Sequence, residues 1–553
     1  MSDSVDMTNR SCNDRPARLI ALSVLVVILI LAVPQFLRMP LTNDPVYYDL
    51  QAKNVLNDGV LYRDMVEPNL PGVVWLHIAV RSLLGDSSEA IRAADLLIFA
   101  GSVLVLCGAI IRTGGRASTA LCAACGMFWC YLSLAEWSQV QRDPWLLLPA
   151  GIAMWLRERQ IGRMRRAEST VSLFLFGLLE GIVWGMGVWI KPHIMIPAAI
   201  VWFLSAWLAR RVTRSLVDLA GLVLGGLIVG AIGIMWLVRT GAWPYFWDTL
   251  TVLNPTYVAG VRREWKLSFF LGMCGRFLPW VLLYLPIIPL TLTWLNQSLR
   301  NASQVKGDRP TECTNDERRA LWSALFLGWM LQAMFLQILF DYVHVPCLIL
   351  AIALFAMWYA KQPAAVLRWT SFGLAVAALI MSPLAWPHRL TLWPRCLSEA
   401  SGPELRNQLR RIADPDWEDL EQVARFLQEQ NVATGDVVCY NNHLIHLYPR
   451  LGIQPKVRFV YQATWQLYLK SHIQEIQQDL LEHRPRYIIS DLHAAGLSDA
   501  IARADGPRGP LSLPAEFPAE GRRLFPWRYP IVFRAGAYLV HEFPSQNAKP
   551  SVK

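Results

Sequence analysis

The chain has 553 residues, of which 54% are hydrophobic and only 17% are charged. A soluble globular protein usually carries about 25% charged residues. The formal net charge is +10, but most arginines lie in short stretches between apolar runs, as membrane topology requires and a nucleic-acid groove does not. The composition therefore favours a multi-pass membrane protein and excludes nucleic acid as its partner.

The first apolar run, residues 19–37, follows Arg10, Arg15 and Arg18. No small-residue cleavage site precedes Arg38, so we expect a retained signal anchor instead of a cleaved signal peptide. This run predicts the first membrane span, preceded by a cytoplasmic tail of residues 1–18.

Apolar windows of about 19 residues are typical of membrane-spanning helices. The sequence predicts a mostly α-helical bundle of about eleven spans, near residues 19–37, 93–111, 117–135, 144–156, 170–190, 194–209, 216–238, 277–296, 320–340, 345–360 and 369–387. Several of these runs are short for a hydrocarbon core of about 30 Å, so neighbouring residues must extend them.

The distribution of Lys and Arg predicts the orientation of the bundle. Segments on the side of the N-terminus hold about 20 Lys and Arg in about 75 residues, and those on the opposite side hold about 12 in about 108. The positive-inside rule places the N-terminus in the cytoplasm of a cell with a cytoplasmic (inner) membrane. An odd number of spans then places the C-terminal region outside the cytoplasm.

Two outer segments, 38–92 and 239–276, are too long to be simple connectors. Both contain tryptophan and other apolar residues, as at Trp243 and Tyr245. We interpret them as amphipathic helices at the outer leaflet. The transmembrane domain then extends over residues 19–390.

The C-terminal region, residues 391–553, has a different pattern. Helical periodicity at 416–430 and 465–483 alternates with short strand-like runs at 437–440 and 486–490. A hairpin is predicted over 531–543 through Ala535 and Gly536. This alternation predicts a soluble α/β domain, in which we find no phosphate loop, metal-ligand spacing or nucleophile elbow.

Ionisable residues gather beside the spans on the predicted outer side, where charges mark function more often than elsewhere. Each has a simple structural alternative: a solvated loop carboxylate, an ion pair that caps a helix, a lysine that snorkels to the interface or a histidine that caps a helix. The predicted topology nevertheless places them all on one face of the membrane: Asp44, Arg142, Asp143, Lys191, His193 and His344.

At these residues the chain resembles the polytopic membrane glycosyltransferases of the GT-C fold. The likeness is to the bacterial branch related to protein O-mannosyltransferases and to the aminoarabinose transferase of lipid A. The matching segments are Asn43-Asp44 with Tyr47, then Gly59 to Gly72 with Tyr62 and Glu67, Asp143-Pro144, Lys191-Pro192-His193, and Tyr342-Val343-His344-Val345-Pro346. The resemblance covers about residues 19–390, and a soluble C-terminal α/β domain is usual for this group.

The resemblance implies transfer of a sugar from a polyprenyl-phosphate carrier to an acceptor hydroxyl at the outer face, with Asp44 as the base and inversion of configuration. The acceptor is a lipid, a glycan or a protein of the cell envelope. Asp143 is the second catalytic candidate, to orient Asp44, bind the acceptor or help hold a divalent ion. The donor and acceptor are expected to contact Tyr47, Tyr62, Glu67, Arg142, Lys191, His193, Arg262, Arg263 and His344.

The sequence departs from the family at two points. Asn43-Asp44 supplies one carboxylate where the family has an acidic pair, and the double-proline turn is loosened to Pro68-Asn69-Leu70-Pro71. These departures argue against a bound metal ion more than they argue against catalysis. The resemblance therefore leaves a divalent ion as a possible cofactor and requires none.

Two other functions stay open. A transporter or flippase for a lipid-linked or small polar solute would place ionisable residues near the midplane of the membrane, in repeated broken helices. A non-catalytic scaffold for the C-terminal domain would need no long polar first loop. The sequence shows no internal repeat, and its polar residues gather at one side, so we favour the transferase.

Overall fold

The computed structural model describes residues 14–261, 266–304, 311–336, 341–360, 362, 369, 373, 375–377, 379–502 and 511–543. Its first two thirds are almost entirely helical. The helices are α1 Arg15–Arg38, α2 Asn43–Leu56, α3 Gly72–Leu84, α4 Ser88–Arg112, α5 Ala117–Ser133, α6 Arg142–Trp145, α7 Leu147–Arg165, α8 Thr170–Ile190, α9 Met195–Ala209, α10 Val212–Arg239, α11 Trp243–Asp248, α12 Asn254–Val261, α13 Leu267–Arg276, α14 Tyr284–Gln304, α15 Asn315–Leu336 and α16 Val345–Tyr359.

The remainder of the described chain mixes short helices with a small sheet. Its elements are α17 Pro387–Thr391, α18 Trp393–Ser398, α19 Pro403–Leu409, α20 Trp417–Glu429, β1 Val437–Cys439, α21 Leu447–Leu451, α22 Gln462–Tyr468, α23 Ile473–His483, β2 Tyr487–Asp491, α24 Asp499–Ala502, β3 Ile531–Ala535 and β4 Tyr538–Glu542.

Among the described residues, six helical segments are long and apolar enough to cross a membrane, or seven if the sharply bent pair α13 and 280–304 counts as one span. They correspond to α1, α4, α8, residues 192–209, α10 and residues 342–359. The sequence predicted eleven spans. Three of the predicted spans are not among the six, because α5 has only 17 residues and the runs at α7 and α15 carry several charges. The predicted span at 369–387 falls largely outside the described residues.

The long segments predicted between spans contain helices of their own. The segment 38–92 holds α2, α3 and the start of α4, and the segment 239–276 holds α11 to α13. Ser87 caps α4 by accepting a hydrogen bond from the Ala90 backbone N–H at 3.1 Å, which satisfies one of the free donors at a helix start.

Helices α8 and α10 pack directly backbone to backbone along a seam of glycines. A Cβ atom placed on Gly181 would lie 2.0 Å from the Leu222 carbonyl oxygen, and one on Gly225 would lie 2.1 Å from the Leu178 carbonyl oxygen. Small residues four apart allow such an approach, which is how helices associate in lipid without a hydrophobic driving force. Helix α8 ends at Ile190, and Lys191 follows it directly.

A charged network that the sequence analysis did not find lies inside the bundle. The buried Arg157 of α7 pairs with Glu180 of α8 at 2.7 Å and with Asp218 of α10 at 2.5 Å. Trp184 donates to Glu180 at 3.1 Å, and Gln160 donates to Asp218 at 2.9 Å. A buried charge is tolerated when it is paired and hydrogen-bonded, so this network ties three helices together.

The C-terminal sheet has four strands in the order β1-β2-β4-β3. Strand β1 runs parallel to β2, and β4 is antiparallel to both β2 and β3. The hairpin between β3 and β4 turns at Gly536, whose φ of 54° suits glycine. Helix α20 is capped by the preceding residue, Asp416, whose carboxylate accepts from the N–H groups of Glu418 and Asp419.

The glycine seam gives a direct test of helix packing. The Gly225→Ala change should force α8 and α10 apart, and overpacking of this kind typically costs about 1–3 kcal/mol. The midpoint of thermal unfolding in detergent should fall by several degrees. Gly230→Ala on the same helix is the matched control, because no atom lies within 4 Å of its Cβ position. Equal midpoints in the two variants would contradict the seam.

Candidate active site

Four segments far apart in the sequence meet at one end of the helical bundle. The Lys191 Nζ atom lies 2.6 Å from Asp143 Oδ2 and 5.6 Å from the centre of the Tyr342 ring. The Arg142 guanidinium lies 5.7 Å from the centre of the Tyr48 ring in α2. The start of α2, the short helix α6, the residue after α8 and the turn before α16 therefore form one cluster.

Contacts with α4 and α5 hold α6 in place. The indole N–H of Trp145 donates to the buried carboxylate of Asp95 at 2.6 Å. Just before α6, Gln139 accepts from Arg92 at 3.0 Å and donates to two carbonyl groups of the α5 end. Arg142 and Asp143 thus stand on a short helix that is fixed on both sides.

Asp44 lies in the first turn of α2 and is partly exposed. Burial raises the pKa of its carboxyl group, against the positive charge of Arg142 and the neighbouring amide of Gln141. Carboxylates of raised pKa are better proton acceptors at neutral pH than ordinary ones. Asp44 is therefore the carboxylate of the cluster that combines accessibility with basicity.

Asp143 and Lys191 form an ion pair that is almost completely removed from solvent. The second oxygen of Asp143, Oδ1, is buried and has no hydrogen-bond partner among the described residues. Burial lowers the pKa of Lys191 to about 8, with Asp143 opposing the shift and Arg142 adding to it. The pair leaves one carboxylate oxygen available to a ligand.

Arg142 is only 7% exposed. Burial disfavours its positive charge, and the carboxylates of Glu67 and Asp143 favour it through space. No carboxylate of the described residues lies within the 4.0 Å of an ion pair. A buried guanidinium usually has an anionic partner. Arg142 is therefore a buried cation without an ion-pair partner among the described residues.

Glu67 is fully buried and its carboxylate is occupied. It accepts hydrogen bonds from Gln51 at 3.0 Å and from the backbone N–H and side-chain amide of Asn69 at 2.9 and 2.5 Å. Burial raises its pKa, and Arg142 opposes the shift. These contacts hold the loop after α2 beside Arg142.

The hydroxyl groups of Tyr47 and Tyr62 are also engaged. Tyr47 donates to the carbonyl group of Val66, and Tyr62 donates to that of Asn69 at 2.8 Å. Both side chains are buried. In this structure they fasten the loop that carries Glu67, and their predicted contact with substrate stays a prediction.

Two histidines border the cluster with ring nitrogens that lack partners among the described residues. These are Nδ1 of the half-buried His193 and Nε2 of His344, which is 5% exposed. The His344 backbone is held by the Tyr284 hydroxyl group, which donates to its carbonyl at 3.3 Å. Arg262 and Arg263, also predicted to bind substrate, lie outside the described residues.

The structure adds a cover of aromatic residues that the sequence analysis missed. Tyr461, before α22, lies 5.0 Å from the Tyr47 ring and stacks on Trp465 at 5.4 Å. Tyr257 of α12 contacts Trp465 at 6.2 Å and Tyr468 at 5.6 Å. Burial raises the pKa of both Tyr257 and Tyr461, and the nearby charge of Asp44 adds a smaller increase.

A backbone hydrogen bond connects this cover to the first loop, from Val66 N–H to the Arg458 carbonyl at 3.0 Å. Residues of the C-terminal region therefore lie against the candidate site. The sequence held one signal for this contact: Tyr461, Trp465 and Tyr468 are spaced as on one face of a helix.

A divalent ion was one prediction for the region of Asp143. Among the described residues, the group whose His and carboxylate atoms lie close enough to share an ion is Asp414, Asp491 and His493, beside the C-terminal sheet. Asp143 instead has a lysine as its neighbour. Asp44 and Asp143 belong to no such group among the described residues, and a divalent ion at Asp143 stays a prediction.

No protein-family model matches the chain, and no curated protein matches it. The solved structures that are similar in part include two oligosaccharyltransferase structures. Archaeal oligosaccharyltransferase AglB from Archaeoglobus fulgidus, in complex with an inhibitory peptide and a dolichol-phosphate, is 12% identical with a TM-score of 0.46, over 86% of this chain and 69% of that chain. The Archaeoglobus fulgidus oligosaccharyltransferase in complex with Zn and sulfate is 13% identical with a TM-score of 0.43, over 85% and 68%. Likeness at this level assigns no reaction or site to this chain.

The ion pair gives a test of the cluster. Lys191→Met should leave Asp143 buried without its partner and cost about 3–5 kcal/mol. The double variant Lys191→Met with Asp143→Asn should recover part of that loss, because the remaining groups are neutral. Thermal unfolding of the four proteins of this cycle in detergent measures the coupling, and strictly additive effects would contradict a direct interaction.

Proposed function

We propose that this chain is a membrane glycosyltransferase that moves a sugar from a polyprenyl-phosphate-linked donor to an acceptor hydroxyl. The observation that most supports the proposal is that one cluster contains both a buried cation and a carboxylate of raised pKa. Arg142 is a buried cation without a carboxylate partner among the described residues, and Asp44 is a partly exposed carboxylate of raised pKa within its field. One group suits a phosphate and the other suits the proton of an attacking hydroxyl.

In the proposed reaction, the acceptor hydroxyl oxygen attacks the anomeric carbon of the donor. Its proton passes to Asp44 as the new carbon–oxygen bond forms. The bond between the anomeric carbon and the phosphate oxygen breaks, and polyprenyl phosphate leaves with one more negative charge. Arg142 and Lys191 stabilise that charge. A single displacement of this kind inverts the anomeric configuration.

Asp143 holds Lys191 in place through the 2.6 Å contact and presents Oδ1 towards a ligand. His193 and His344 supply ring nitrogens that can donate to the phosphate or the sugar. Tyr257 and Tyr461 cover the cluster and exclude water, which strengthens the electrostatic contacts within it.

The proposed setting is a cytoplasmic membrane crossed by the helical bundle, with the N-terminus inside and residues 391–553 outside. A lipid-linked donor reaches a site at the end of the helices from within the membrane plane, because its phosphate lies at the level of the headgroups. The acceptor comes from the opposite direction, past the aromatic cover.

Transport of a lipid-linked or small polar solute is the rival function. The buried Arg157 network lies deeper in the bundle, where a transporter places its binding site. Its charged groups are paired with one another and hydrogen-bonded, which favours a structural role. Release of free polyprenyl phosphate with labelled acceptor supports the transferase, whereas counterflow uptake of solute without it would favour transport.

The role of Asp44 is tested by the nearly isosteric change Asp44→Asn. Turnover should fall at least about 100-fold, because general bases contribute roughly 10²–10⁴-fold. The assay incubates purified protein with polyprenyl-phosphate sugars and membrane extract and quantifies released polyprenyl phosphate by mass spectrometry. Asp58→Asn, at an exposed residue just after α2, is the control. Full activity of Asp44→Asn would exclude Asp44 as the base.

The pH dependence of kcat/KM tests both charges. The rate should fall at acid pH, through an apparent pKa above the ordinary 3.8 of aspartate, as Asp44 becomes protonated. It should fall again above about pH 8 as Lys191 loses its proton. Lys191→Arg keeps the charge and should remove the alkaline limb, since arginine does not titrate there. An alkaline limb unchanged by Lys191→Arg would show that another group titrates.

A further inference from the structure

A second cationic site lies away from the candidate active site. It is a cavity of about 390 Å³, within the range of pockets that bind small molecules. Five arginines and two glutamates line it, giving it a net charge of +3. Its lining residues are Arg112, Trp155, Glu158, Arg159, Gly162, Arg163, Arg166, Glu312, Cys313 and Arg318.

The cavity lies at the opposite end of the bundle from Lys191 and Asp143. Arg159 and Arg163 follow Asp143 by 16 and 20 residues, mostly along α7, which is about 24–30 Å at the helical rise of 1.5 Å per residue. Helix α8 then returns over a similar length, from Thr170 to Ile190. The two cationic sites are thus separated by about the hydrocarbon thickness of a bilayer.

The guanidinium groups are held in place and are only partly neutralised. Arg159 lies 3.8 Å from the centre of the Trp155 ring, and Arg163 lies 3.5 Å from that of Phe176. Stacking on a ring leaves the edge N–H groups of a guanidinium free to bind an anion. Arg159 is exposed, and no carboxylate of the described residues forms an ion pair with it.

The arginines at the cavity outnumber the carboxylates with which they form ion pairs. Arg112 and Arg318 both approach Glu158, at 2.8 and 3.6 Å. Arg163 and Arg166 both approach Glu168, at 2.5 and 3.0 Å. Two carboxylates therefore serve four guanidinium groups, and positive charge is left over at the cavity.

Exposed apolar side chains adjoin these residues in the sequence. Ile111 is 49% exposed, Ile152 36% and Val171 67%, and they belong to the three helices that contribute Arg112, Trp155 and the Phe176 ring. A ligand with a phosphate and an acyl chain would contact both kinds of surface. A soluble anion would use only the cavity.

We propose that this cavity binds the phosphate-bearing headgroup of an anionic membrane lipid. Arginine forks match phosphate oxygens in geometry and charge. The site is separate from the proposed reaction, because a bilayer's thickness of protein lies between the two. Its bound lipid would hold together the ends of α4, α7 and α15, which all reach the cavity.

The test uses the full chain purified in detergent. Retention of phosphatidylglycerol and of phosphatidylcholine is measured by native mass spectrometry as each lipid is titrated. The double variant Arg159→Gln with Arg163→Gln should weaken phosphatidylglycerol binding at least about tenfold, since two charge-assisted contacts are lost. The control, Arg116→Gln with Arg211→Gln, removes the same charge from exposed residues that do not line the cavity.

Selective binding of phosphatidylglycerol that the cavity variant loses and the control keeps would support the proposal. Equal loss in both variants would overturn it in favour of unspecific attraction to surface charge. Inorganic phosphate at millimolar concentration is the second arm. Displacement of the lipid at those concentrations would overturn the lipid assignment and identify a site for soluble phosphate. Helical circular dichroism of both variants excludes misfolding as the cause.

Discussion

A charge that leaves water needs a partner, and this constraint organises the helical bundle. Asp143 and Lys191 come from the start of α6 and the end of α8, and neither would be stable alone where it lies. Their 2.6 Å contact holds two helix ends together and places Arg142 beside Asp44. The same constraint makes Arg142 informative, because this buried guanidinium forms no ion pair with a carboxylate of the described residues.

The sequence predicted best where local patterns decide the structure. The helix at 416–430 and the strands at 437–440 and 486–490 lie within a residue or two of α20, β1 and β2, because hydrophobic period and capping specify them locally. The structure also brings Asp143 to Lys191 and Arg142 to Tyr48 of α2, although these residues lie far apart in the sequence. The roles predicted for them stay predictions.

Contacts between distant segments could not be read in the same way. The aromatic cover depends on Tyr461 and Tyr257 meeting around Trp465, some 200 residues apart in the chain. In the sequence, Arg157 resembles the other arginines predicted to lie on the cytoplasmic side. Only the packing of α8 and α10 brings Glu180 and Asp218 to it. Hydropathy windows average over such residues, so a single buried charge leaves no signal in them.

The glycine seam has a mechanical consequence for the membrane around the protein. Residues 219–238 of helix α10 carry no charge and are about 30 Å long at the helical rise of 1.5 Å per residue, which matches a hydrocarbon core of about 30 Å. In a thinner bilayer such a helix tilts. Contact between backbones leaves α8 little freedom to tilt independently of α10. The depth of Lys191 relative to the lipid headgroups is therefore coupled to bilayer thickness. A change of membrane thickness would change the position of the candidate site relative to the lipid headgroups.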